Sequence, residues 1–95
     1  IINVGGEKVY PQEIENIIQG IDGISDVVVY SEPHPLTGEI VCAQVCLSTN
    51  KNHKEMTKKI KLKCKEVLPR YKVPVKVIFS EKLQHSNRFK KNRNI

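Results

Sequence analysis

Gly5-Gly6 and the lysines near the C-terminus are the residues whose types and spacing could do chemistry. A glycine pair lets backbone come close to a ligand, and a helix N-terminus just downstream favours an anion. Pro11, a residue suited to the first helical position, follows the pair closely. After Glu81 the chain carries Lys82, Arg88, Lys90, Lys91 and Arg93 with no acid. A lysine on a loop delivers a compact positive charge to a phosphate on which negative charge develops. Each signal alone also has a plainer reading, a simple turn for the first and an exposed charge run for the second. No Ser-His-Asp or Cys-His set can be argued from spacing, and no carboxylate pair stands out. His34, His53 and His85 are scattered without zinc-site spacing, so no metal site is expected. Cys42, Cys46 and Cys64 form no CxxC pair and read as buried free thiols of a reducing, cytoplasmic setting.

The elements that must position these residues follow from periodicity. Asn3 to Tyr10 reads as a short extended segment broken by the glycine turn. Ile14, Ile17, Ile18 and Ile21 recur at helical spacing behind Pro11, with Glu13 in the first turn and Gly20 and Gly23 at the end. This predicts an amphipathic helix over residues 11 to about 20. Residues 24–30 are rich in valine and isoleucine and predict a strand. Residues 31–39, with Pro33, Pro35 and Gly38, predict a turn into a second strand from Ile40 to about Ser48, the two strands pairing as an antiparallel hairpin. Met56, Ile60, Cys64, Val67 and Leu68 define one face of a helix from His53 to Leu68, stopped by Pro69. Its lysines read first as a solvated outer face. A third strand follows at residues 75–79, and the rest is a basic tail.

The expectation is one α+β domain over residues 1–95: a small, three-stranded, mainly antiparallel sheet with two amphipathic helices packed on it. At 95 residues a second domain does not fit. No apolar run reaches the ~18 residues a membrane span needs, and no signal-peptide layout opens the chain. The start on Ile1-Ile2-Asn3-Val4, without methionine, suggests a piece of a longer chain. A net charge of +6 keeps anionic partners open, with phosphorylated small molecules and nucleic acid as the two candidates.

Gly5-Gly6-Glu7-Lys8-Val9-Tyr10-Pro11-Gln12-Glu13-Ile14-Glu15 resembles the signature opening the C-terminal domain of AMP-forming acyl-CoA synthetases. That signature is a glycine pair, Lys or Asn, Val, an aromatic, Pro and Glu-Ile-Glu. Further landmarks follow in order. Residues 23–29 resemble the family's GV.DAAV strand, His34 to Glu39 its D…GE loop, and Ala43-Gln44-Val45 the strand after it. Tyr71-Lys72-Val73-Pro74 is similar to its YK.P element. The resemblance covers nearly the whole chain.

The resemblance implies a two-step reaction. A carboxylate attacks the α-phosphate of ATP to give an acyl-adenylate and pyrophosphate, then the thiol of CoA displaces AMP. ATP and CoA are thus the implied co-substrates, with magnesium bound mainly through ATP and an N-terminal domain that would be the main partner. The family's terminal pattern (Leu-Pro, a short spacer, Ser/Thr-Gly-Lys, a later Arg) falls on Leu83 to Arg93. It puts Lys90 at the adenylation lysine and Arg93 at the later arginine, while Gly5, Gly6 and Lys8 fall beside CoA. Gln84 departs from the family's proline, and Arg88-Phe89 from its small Ser-Gly pair; Lys91 is the neighbour one register away. Glu13 and Glu15 read as helix stabilisers. The isolated domain is expected to be inactive. Two alternatives stay open: a peptide-synthetase-type adenylation subdomain serving a carrier protein, and a basic nucleic-acid-binding module. Against the latter, the chain has no RNP aromatic motif and few aromatics on which bases could stack, five in all.

Overall fold

A computed structural model describes residues 1–82. The elements run β1 (Ile2–Val4), β2 (Glu7–Val9), α1 (Pro11–Gln19), β3 (Ile24–His34), β4 (Gly38–Leu47), α2 (His53–Val67), a 3-10 turn (Arg70–Lys72) and β5 (Lys76–Phe79). The α+β class, the two helices and the mainly antiparallel sheet agree with the expectation. The strand count differs, with five strands among the described residues where three were expected. Residues read as a broken extended segment form a hairpin of two three-residue strands around Gly5-Gly6. Strands that short carry too few residues for alternation to show in sequence.

β4 is the hub of the sheet. It pairs antiparallel with β3 along almost its full length, parallel with β5, and at one register position, Val4 opposite Gly38, with β1. The β3–β4 turn is also shorter than expected, because β3 continues through Pro33 to His34. Val27 and Val29 send their N–H groups away from β4, to Asp26 Oδ1 and Glu15 Oε2. Pro33 shares their phase, so the N–H it lacks would have pointed off the sheet edge, where proline is tolerated.

Both helices pack on one face of the sheet. α1 has no side-chain cap at Tyr10, but Pro11 opens it and Glu13 lies in its first turn. Its Ile14 and Ile18 are fully buried against Val27, Val29, Val41, Ala43 and Val45 from alternate positions of β3 and β4. α2 is capped by Asn52, whose side chain accepts from the Glu55 N–H at 3.0 Å. Its Met56, Ile60 and Cys64 complete the same core, and Leu68 and Pro69 end it. On the opposite face Val28, Tyr30 and Cys42 form a smaller buried cluster with Ile40 packed on it. Burial raises the thiols of Cys42 and Cys64 to about 11, so both stay protonated and poorly nucleophilic near neutral pH.

Glu15 has a more specific job than helix stabilisation. Its carboxylate reaches from α1 to accept the Val29 N–H at 2.8 Å, in a position only 8% exposed. A sheet-edge donor is thereby satisfied by the helix that covers it. Glu15→Ala is expected to destabilise the fold by about 1–3 kcal/mol, and Glu15→Gln, which keeps an acceptor, by less. Urea unfolding midpoints of the two variants check this; equal midpoints for parent and Glu15→Ala would contradict it.

Candidate functional site

Gly5 and Gly6 form the two-residue turn of the β1–β2 hairpin, with φ of 58° and 92°. Positive φ at both central positions is what a turn matching the twist of the flanking strands requires, and glycine accepts it without strain. Among the described residues, the adjoining ones in the chain aside, no atom lies within 4 Å of where a Cβ would sit on either glycine. The turn therefore offers bare, open backbone to whatever approaches it. Lys8 stands exposed on β2, paired in register with Asn3.

The turn is held from behind by three hydrogen bonds. Asn3 Oδ1 accepts the Gly6 N–H at 2.9 Å. Asn3's own N–H donates to Glu39 Oε1 at 2.6 Å, and the Gly5 N–H donates to the Thr37 carbonyl at 2.8 Å. Glu39 is itself oriented, since Ser31 Oγ donates to its Oε2 at 3.2 Å. Asn3 and Glu39 were missed as site residues in the sequence. An asparagine just ahead of a glycine turn is a recognisable local signal. The contact to Glu39 spans 36 positions and has no local signal.

Two further landmarks are tied together near α1. Lys72 Nζ donates to Glu13 Oε1 at 2.9 Å, linking the 3-10 turn to the first turn of the helix. This bond holds the Lys72 ammonium above its usual range. Glu13 thus ties the start of α1 to the 3-10 turn. The structure brings Gly5, Gly6 and Lys8 together on one hairpin, whereas Lys90, Lys91 and Arg93 lie outside the described residues.

A groove of about 440 Å³ is lined by Lys61, Lys65 and Arg70 over Leu68, Val73, Pro74 and Val75. Its lining has no aromatic side chain on which a base could stack. Lys54, Lys58, Lys59 and Lys63 of α2 are exposed as a solvated face. Among the described residues no group of three or more His, Cys, Asp or Glu could hold a metal ion, and no helix is long and apolar enough to cross a membrane.

Residues 13–90 match the family described as the AMP-binding enzyme C-terminal domain. The chain belongs to this family. A long-chain-fatty-acid–CoA ligase of Mycobacterium tuberculosis is 43% identical over 77 residues, 81% of this chain and 15% of that protein. A 3,4-dihydroxybenzoate–[aryl-carrier protein] ligase of Bacillus anthracis is 39% identical over 74 residues, 78% of this chain and 16% of the relative. The solved structure of ATP-bound MatB from Rhodopseudomonas palustris superposes with a TM-score of 0.77 at 30% identity, over 87% of this chain and 16% of that one. The chain thus spans about one-sixth of the length of the relatives it matches. In this AMP-binding C-terminal domain the matched span includes position 90 and begins after the glycine hairpin.

Proposed function

We propose that this AMP-binding C-terminal domain serves an ATP-dependent, AMP-forming acid–CoA ligase, and that its glycine turn works in the thioester step. The observation that carries the reading is the open turn at Gly5-Gly6, with two positive φ angles and nothing within 4 Å of either Cβ position. A slender pantetheine arm needs a wall it can pass closely, and bare backbone provides one. Lys8, on the same hairpin, would meet the phosphates of CoA as a mobile point charge. Lys90 would enter for the other step, contacting the carboxylate and phosphate oxygens while adenylate forms. The acid, ATP and most of the site would belong to an N-terminal domain. Magnesium would arrive with ATP, since among the described residues no group of three or more His, Cys, Asp or Glu could hold it. A cytoplasmic location belongs to the same proposal and suits three free, buried thiols.

A second reading keeps the turn and changes the thiol. One relative is a ligase for an aryl-carrier protein, and a carrier's phosphopantetheine arm presents the same chemistry at its tip. The two readings part at the acceptor.

Gly6→Ala in the intact ligase tests the turn. An alanine held at φ near 92° is strained by about 1–2 kcal/mol and sets a methyl group in the open space. Thioester formation from supplied acyl-adenylate is expected to fall by about ten- to a hundredfold. Acid-dependent pyrophosphate release should stay at the parent rate. Equal loss in both steps, or none in the second, would remove the turn from the thioester step.

A further inference from the structure

We infer that Glu39 and Asn3 are positioning residues that aim the Gly5-Gly6 turn for the thiol-transfer step. The inference deepens the proposed function and rests on that reading of the turn. The hairpin's ladder contact with the rest of the sheet is slight, since β1 meets β4 at the single pair Val4 and Gly38. Beyond Gly38 the Glu39 side chain, rather than a backbone carbonyl, takes the Asn3 N–H, at 2.6 Å. Asn3 then hands the constraint forward, its Oδ1 accepting the N–H of Gly6 at 2.9 Å. On the other side Ser31 Oγ and the neighbouring Thr37 hold Glu39 in place. The hydroxyl of Ser31 donates to Oε2, and the hydroxyl of Thr37 donates to the Glu39 carbonyl at 2.7 Å.

The chain of contacts therefore runs from the edge strand β3, through one carboxylate, to the amide of the glycine that faces open space. It joins two segments that the sequence keeps far apart, the glycine turn and the start of β4 at Gly38-Glu39. Ile2 and Val9 already bury the base of the hairpin in the core, so this polar chain is not what folds the domain. Its effect is on where the tip sits. A tip displaced by about an ångström loses the close passage that bare backbone allows.

The experiment uses the intact ligase with Glu39→Ala, Glu39→Gln and Gly6→Ala, assayed separately for pyrophosphate release and for thioester formation. Glu39→Ala is expected to raise the KM for CoA about tenfold with pyrophosphate release unchanged. Glu39→Gln keeps an oxygen for the Asn3 N–H and an amide for Ser31, so it should restore the KM to near the parent value. Deuterium uptake should rise in the segment 3–9 of Glu39→Ala and stay at the parent level in 24–34. An unchanged KM in Glu39→Ala, a parallel loss of both half-reactions, or raised uptake across 24–34 overturns the positioning role. Gly6→Ala separates the two levels. If it disturbs the CoA step and Glu39→Ala does not, the brace alone is wrong; if neither does, the reading of the turn falls with it.

Discussion

Lys90→Ala in the intact ligase is expected to lower acid-dependent pyrophosphate release by about 10²–10³-fold, the usual loss when one aimed charge or donor is taken from a developing oxyanion. Thioester formation from supplied acyl-adenylate should survive, because that step is assigned to the glycine hairpin. The reasoning is electrostatic. An ammonium close to the α-phosphate interacts far more strongly in a water-poor site than in bulk solvent, so its removal is felt in the step where charge accumulates. Lys91→Ala is the control, since the two lysines are adjacent and the residues before them, Arg88-Phe89, depart from the small pair of the family pattern. Loss confined to Lys91→Ala would move the register by one position. Full activity in both variants would remove this tail from adenylation.

The largest expected effect on stability comes from Ile60. It lies on the inner face of α2, has no exposed surface, and packs with Met56 and Cys64 in the main core. Ile60→Ala should destabilise the domain by about 2–5 kcal/mol through lost burial and the cavity left behind. For a domain this small that is a large share of total stability. Leu62, two residues along the same helix, is 61% exposed. Leu62→Ala should therefore stay within about 0.5 kcal/mol of the parent. Denaturant unfolding of the pair makes the comparison; similar midpoints for both variants would contradict the packing described.

The helices were legible because their apolar residues recur over several turns. Ile14, Ile17 and Ile18 in α1, with Ile21 just past its end, and Met56, Ile60 and Cys64 in α2 point to one face whatever the tertiary context. The β3–β4 hairpin was legible from Val41, Ala43 and Val45 alternating with Cys42, Gln44 and Cys46. Its true extent was not. Pro33 reads as a breaker locally, and only its place on an edge strand makes it acceptable. The parallel pairing of β5 with β4 is a non-local choice that four residues cannot announce. Within the site, the glycine pair was visible and its brace was not, since Glu39 reaches Asn3 only after the sheet has folded. Glu15 shows the same limit. Its place on the helix was clear, while its partner on β3 follows from how α1 lies across the sheet.

This domain is proposed to serve a ligase that makes CoA thioesters through an acyl-adenylate. The most direct test incubates the intact protein with ATP, magnesium and a panel of carboxylic acids, then offers CoA or a phosphopantetheinylated carrier protein. Acid-dependent release of pyrophosphate, followed by AMP and a thioester on CoA, is the expected result. Acid-dependent pyrophosphate release with transfer only to the carrier, or no release with any acid, would contradict it.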